Sequence, residues 1–195
     1  MTAAPAISLP IPDDALLIAF ANGDAQAARD LAQRLLPRVL AQATRMLADP
    51  TEAEDVAQDA MMRLWKIAPD WRQGEAQVST WLYRVVANLC TDRLRRRRGK
   101  TSLDQVAEPA DDAPGVVAMM QTDARMRALS DALAQLPERQ AQAVALRHLE
   151  GLANPEIAAI MDISVRSVES LTARGKRALT DILAGRKTEL GYDDD

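Results

Sequence analysis

The strongest candidate for chemistry lies at residues 90–102, CTDRLRRRRGKTS, where Arg93, Arg95, Arg96, Arg97, Arg98 and Lys100 gather in a chain of formal net charge -4. Such a cluster suits three roles: a nucleotide-phosphate cradle, a grip on a nucleic-acid backbone, or a solvated charge run. Gly99-Lys100-Thr101 matches the tail of a phosphate-binding loop. That loop also needs a glycine five positions before the Gly-Lys pair, so that backbone N–H groups turn inward around the phosphates. The position holds Leu94, and the preceding segment reads as a helix rather than a strand. The cradle fails on both counts, and Gly99 is read as the residue that stops a helix.

Enzyme chemistry finds no foothold. His148, in ALRHLEG, is the only histidine, with no second His or Cys close by to share a metal. Near a helix C-terminus it is read as a dipole-complementing residue. Cys90 falls on the apolar face of its helix and is read as core. No nucleophile, base and orienter assemble, so no catalytic residue, metal, cofactor or enzymatic activity is expected. A single cysteine excludes an internal disulfide and suits a reducing compartment. The start, MTAAPAISLPIP, lacks a basic n-region and is broken by prolines, and no apolar run approaches membrane-spanning length. A cytoplasmic location is expected.

The elements that must position these residues are helical. Aromatic residues make up 3% of the chain, and Ala, Leu, Arg, Glu and Gln dominate. The expected fold class is all-α: two small helical domains joined by a flexible linker, the C-terminal one a helix-turn-helix. The first spans residues 12–98, the linker 99–115 and the second 116–186. Asp24 is a candidate N-cap after Asn22-Gly23, and Pro37 falls between two amphipathic runs. Thr51-Glu52-Ala53-Glu54 reads as a capping box opening EDVAQDAMMRLWKIA. There Val56, Ala57, Ala60, Met61, Leu64, Ile67 and Ala68 recur at helical spacing, while Glu54, Asp55, Asp59, Arg63 and Lys66 fall elsewhere on the wheel.

After the loop PDWRQGEAQ, a long helix is predicted from Ser79 or Thr80, with Leu82, Val85, Val86, Leu89 and Leu94 as its buried stripe. Arg84, Asn88, Asp92 and Arg95 line up at i, i+4 on another face. The linker, GKTSLDQVAEPADDAPG, carries two prolines, acidic residues and no usable period. The tail RKTELGYDDD is polar and acidic, and is expected to fray.

GLANPEIAAIMDISVRSVESLTARGKRAL has the layout of a helix-turn-helix. Asn154 is a candidate cap with Pro155 first in its helix, and Ile157, Ala158 and Met161 point inward. Asp162 occupies the tight turn, where the left-handed conformation is needed. Ser164 caps the second helix, whose core stripe is Val165, Val168, Leu171, Gly175, Leu179 and Ile182. Its outward face offers Arg166, Ser167, Ser170, Arg174 and Arg177, with Lys176 beside it. A helix of that kind is sized for the major groove, its first residues at base edges and its later cations at phosphates. The plain alternative is a helical hairpin with an ordinary solvated face.

Taken in order, AEDVAQDAMMRLW, STWLYRVVANLCTDRLRRRR and LPERQAQAVALRHLEGLANPEIAAIMDIS resemble the extracytoplasmic-function group of bacterial sigma factors, the polymerase subunits that recognise promoters. The resemblance covers most of residues 12–184. It implies that Asp55, Gln58, Asp59, Arg63 and Trp65 dock on the β′ clamp of core RNA polymerase, with a further contact to the β flap. It implies that residues 71–98 open and read the −10 promoter element through Trp71, Trp81, Tyr83, Arg84, Asn88, Arg93 and Arg95 to Arg98. It assigns −35 recognition to Arg166, Ser167, Ser170, Arg174, Lys176 and Arg177. The linker would thread toward the polymerase active site, and an anti-sigma factor is an expected partner.

The residues agree with this division. Melting needs cations along a backbone track and planar groups near unstacked bases, and Trp71, Trp81, Tyr83 and Arg84 precede the arginine run. For Trp81 and Tyr83, a plain core role stands beside that reading. The acidic face around Asp55 and Asp59 repels DNA and suits a protein partner. Glu169 and Leu171 stand where the family often has Lys or Arg, which bears on the −35 preference. Two rivals stay in view: a free-standing helix-turn-helix regulator, and a sigma-like decoy for an anti-sigma protein that never touches DNA. The first leaves the helix at 54–65 unexplained, and the second has no need of the retained arginines.

Overall fold

A computed structural model describes residues 11–74, 76–100 and 114–186. Its helices are α1 (Asp13–Ala21), α2 (Ala25–Leu47), α3 (Pro50–Ile67), α4 (Val78–Lys100), α5 (Pro114–Gln135), α6 (Glu138–Val144), α7 (Asn154–Met161) and α8 (Val165–Ala184). A 3-10 turn follows α3 at Ala68–Asp70, and a π-helical turn, Ala145–Leu149, continues α6. No strand occurs among the described residues, so the all-α expectation holds. No described helix is long and apolar enough to cross a membrane. The linker and both chain ends fall largely outside the described residues.

Helix α2 opens as expected, with the Asp24 carboxylate accepting the N–H groups of Gln26 at 2.8 Å and Ala27 at 3.2 Å. It then runs through Pro37, which the sequence reading had placed between two helical runs. An interior proline costs about 3 kcal/mol. Against it stand Leu31 and Leu35 before the proline and Val39, Met46 and Leu47 after it, all buried. Each buried side chain of that size contributes roughly 1.5–3 kcal/mol, so one continuous stripe outweighs the break.

The corner between α2 and α3 is made by Ala48, in the left-handed region at φ 51, and Asp49. The capping box expected at Thr51 is replaced by Asp49, whose carboxylate accepts the Glu52 N–H at 3.0 Å. Pro50 explains the shift: it lacks an N–H and its fixed φ suits the first helical position, so the cap must precede it. Helix α4 begins at Val78, just ahead of the predicted Ser79 or Thr80. It continues through Gly99 to Lys100, so Gly99 does not end it. A glycine in the last turn weakens a helix by at most about 1 kcal/mol, which does not force a stop.

One apolar core unites Leu17 of α1, Leu31 and Leu35 of α2, Val56 and Leu64 of α3, and Val86 and Cys90 of α4. Leu133 of α5, Leu136 just after it, Ala141 and Val144 of α6, and Leu179 of α8 belong to the same core. A smaller separate core, Leu146, Ile157, Ala158, Ile160 and Val168, holds the helix-turn-helix. At the α6–α8 crossing, a Cβ on Gly175 would stand 2.5 Å from the Val144 side chain, so only glycine lets the two helices approach this closely. Because Asp49 is the cap, Asp49→Ala is expected to lower stability by about 1 kcal/mol in urea unfolding. Thr51→Ala, at an exposed position inside the helix, changes it by less than about 0.5 kcal/mol.

Candidate nucleic-acid and protein interfaces

In the helix-turn-helix, α7 is capped by Ala153 rather than Asn154: the Ala153 N–H donates to the Glu156 carboxylate at 2.7 Å. Asn154 and Pro155 lie in the first turn, and the Glu156 carboxylate reaches back to accept the N–H of the capping residue Ala153. Asp162 takes the left-handed conformation at φ 53 and ψ 55, and the Ile163 N–H closes the turn on the Ala158 carbonyl at 3.1 Å. Ser164 caps α8 by accepting the Ser167 N–H at 3.2 Å. Val168, Gly175 and Leu179 are buried, whereas Leu171, Ile182 and Met161 are half-buried. Val165, assigned to the core stripe, is instead 40% exposed. Arg166, Ser167, Ser170, Arg174, Lys176 and Arg177 are all exposed. At 100° per residue, all but Lys176 share one strip of α8.

On α3, Asp55, Gln58, Asp59 and Arg63 are exposed and Trp65 is half-buried. Trp65 meets Phe20 edge to face, with ring centroids 4.9 Å apart, so it also pins α1 to α3. The acidic face and the arginine run, separate in the sequence, touch here: Arg93 lies 3.5 Å from Asp55 and 3.6 Å from Asp59.

The run itself is divided by the helical rotation. Arg93 and Arg97 face α2 and α3; Arg97 donates to the Leu47 carbonyl and the Glu52 carboxylate, each at 2.8 Å. Arg95 and Arg98 face the other way. Arg95 pairs with Asp92 at 2.7 Å and Glu138 at 3.4 Å, and Arg98 meets the Gln135 carbonyl at 3.5 Å. Arg96 is exposed.

Trp71 and Trp81 stack edge to face with centroids 6.4 Å apart, both half-buried against the main core. The Trp71 Nε1–H is buried without an acceptor. Tyr83 is half-buried against the helix-turn-helix core, and burial is the main reason its phenol titrates above the ordinary range. Arg84 donates to the Ala159 carbonyl at 2.8 Å and also to that of Ile160. Asn88 accepts from the Gln142 amide at 2.9 Å. So Tyr83, Arg84 and Asn88 meet the C-terminal domain.

Sequence reasoning missed the residues that receive them. Gln142 is buried at 8% exposure and also donates to Thr91 Oγ1 at 3.2 Å. It sits three and four residues before the buried Ala145 and Leu146, and a glutamine on such a stripe signals a polar partner. Arg45 and Glu150 form a bidentate pair, Nε to Oε1 at 2.9 Å with a second contact from Nη2 to Oε2. Separated by 105 positions, that pair leaves no local pattern.

His148 is exposed, and partial desolvation, with Lys176 and Arg147 nearby, holds its pKa below the ordinary value. Among the described residues no group of three or more His, Cys, Asp or Glu side chains is placed to hold a metal. Cys90 is buried, and burial pushes its thiol up to about 12. Native protein at pH 8 is therefore expected to resist iodoacetamide, and urea-unfolded protein to take up one label, as read by intact mass.

Residues 31–100 match the family Sigma-70 region 2, and residues 126–179 match Sigma-70, region 4. The chain is 30% identical over 181 residues to the RNA polymerase sigma-H factor of Pseudomonas aeruginosa, covering 88% of this chain and 93% of that one. It is 32% identical over 174 residues to the ECF RNA polymerase sigma factor SigM of Mycobacterium tuberculosis, covering 88% and 84%. Among solved structures, CnrH in complex with the cytosolic domain of CnrY aligns with a TM-score of 0.62 at 25% identity, over 89% of this chain and 97% of that one. The sigma factor RpoE in complex with the anti-sigma factor NepR from Bartonella quintana shares the fold, with a TM-score of 0.53 at 20% identity over 80% and 96%.

Proposed function

The chain belongs to the extracytoplasmic-function sigma factors of bacterial RNA polymerase, and we propose that it binds core polymerase through α3 and reads promoter DNA at two separate surfaces. The observation that carries this reading is the segregation of charge in a chain of net charge -4: an exposed acidic face on α3 and an exposed cationic strip on α8. Asp55, Gln58, Asp59 and Arg63 on α3 suit the polymerase clamp, since carboxylates there attract a cationic protein surface and repel DNA. On α8, Arg166, Ser167 and Ser170 lie in the first turns, where a helix set in the major groove meets base edges. Arg174, Lys176 and Arg177 follow, where phosphates run.

Single-strand recognition falls to the start of α4 and its arginines, with Tyr83, Arg84, Asn88, Arg96 and Arg98 as the contacts. Trp71 and Trp81 support that surface by packing rather than by stacking on bases. The protein acts in the cytoplasm without catalysis of its own, and an anti-sigma partner holds it inactive. The CnrH and RpoE structures, each a complex with a second protein, support that last point.

Size-exclusion chromatography with bacterial core polymerase tests the reading. One-to-one co-elution, competed by a housekeeping sigma factor, is expected for the native chain. Asp55→Lys with Asp59→Lys should reduce it at least tenfold, and intact co-elution by that variant would remove α3 from the polymerase contact. On promoter duplex, Arg174→Ala should flatten the dependence of log K on log salt by about 0.9, the share of one phosphate contact. An unchanged slope in fluorescence anisotropy would take Arg174 off the phosphate path.

A further inference from the structure

We propose that Arg93 is a positioning residue of the polymerase-docking face: it bridges Asp55 and Asp59, and it serves the protein partner rather than DNA. This rests on the polymerase contact proposed above for α3, and it names the group that presents that contact.

In the sequence Arg93 reads as one more member of the arginine run. The helical rotation separates it from the strand-reading residues. Nine positions at about 100° each put Arg93 on the side of α4 opposite Arg84, and five positions set it about 140° from Asn88 and from Arg98. A strand lying along Arg84, Asn88 and Arg98 therefore passes on the far side of the helix. Arg93 instead faces α3, with its side chain 23% exposed.

Its guanidinium uses one nitrogen for each carboxylate: Nη1 lies 3.5 Å from Asp55 Oδ2, and Nη2 lies 3.6 Å from Asp59 Oδ2. The fork is planar and rigid, so the two contacts fix a spacing as well as a direction. Asp55 and Asp59 stand one helical turn apart, and like charges at that spacing repel. With a cation between them they hold to one side of α3. Both side chains stay exposed, at 60% and 57%, and each keeps its Oδ1 atom for a partner. One turn further along α4, Arg97 meets Asp49 and Glu52 at the α2–α3 corner. Arg93 is the cation of this ladder that reaches the docking face.

Two effects oppose each other in such a bridge. Arg93 lowers the negative field that attracts a cationic partner, and it removes side-chain freedom that docking would otherwise have to remove. The first is weak between solvent-exposed charges, because water and salt screen them. The second applies to two side chains, each of which costs binding energy to immobilise. Positioning outweighs neutralisation, so loss of Arg93 weakens docking. The partner surface that fits is itself cationic, with two donors spaced for the outer oxygens of Asp55 and Asp59.

Arg93→Gln is compared with the native chain in displacing a fluorescent housekeeping sigma factor from bacterial core polymerase. The comparison is repeated on top of Asp55→Asn with Asp59→Asn. Alone, Arg93→Gln is expected to weaken displacement about fivefold. In the second background its further effect should stay under about twofold, because the carboxylates it positions no longer carry charge. A merely structural role, or a direct contact from Arg93 to polymerase, costs the same factor in both backgrounds. With a fluorescent mixed-sequence 20-nucleotide single strand, Arg93→Gln should match the native chain in affinity and salt dependence. A slope of log K on log salt shallower by about 0.7, the share of one phosphate on a single strand, would return Arg93 to the DNA path and overturn the inference. Undiminished displacement by Arg93→Gln, or an equal loss in both backgrounds, overturns it too and leaves the α3 contact standing. A native chain that displaces no sigma factor overturns the α3 contact and this inference together.

Discussion

A helix ends in carbonyls that its own backbone cannot satisfy, and here arginines of α4 answer two such ends. Arg97 donates to the Leu47 carbonyl at the close of α2, where the Ser130 hydroxyl of α5 joins it at 2.9 Å. Arg84 does the same for α7. Each guanidinium spreads several donors in a rigid plane, so one side chain fixes a helix end and reaches a second group as well. Arg97 uses that capacity on Glu52 of α3. The α2–α3 corner, the position of α5 and the seating of the helix-turn-helix all depend on this one kind of contact.

That contact changes the meaning of the arginine run. In a chain of net charge -4, a cationic run suggests a single sticky strip for phosphates. The rotation of α4 divides it: Arg93 and Arg97 brace α3 and the end of α2, Arg95 and Arg98 meet α5 and α6, and Arg96 faces solvent. Half-exposed ion pairs of this kind contribute little stability, so they orient more than they hold. Contacts of that strength can be exchanged for phosphates when a better partner arrives. The buried apolar groups of α4, Val86 and Cys90 among them, keep the helix in place meanwhile.

Much of this was legible in the sequence, because much of it is local. Helical spacing identified the buried stripes of α3 and α4, and Asp24, Asp162 and Ser164 were readable as caps and turn because their chemistry acts within four residues. The outward strip of α8 followed from the same arithmetic, as did the burial of Cys90. Where local signals competed, the reading slipped. Pro37 was overridden by a stripe continuous across it, Asp49 displaced Thr51 because Pro50 sets the first turn, and Ala153 took the cap position read at Asn154.

What the sequence could determine by itself was therefore the helices, their faces, and the segregation of acidic from basic surfaces. Only the tertiary structure decided what those faces meet. Arg45 and Glu150 lie 105 positions apart, and Arg84 finds its acceptors 75 and 76 positions away. Periodicity runs along one helix and carries no information about which helix end will be brought to an arginine on another. That choice is made when apolar stripes pack and leave particular carbonyls within reach.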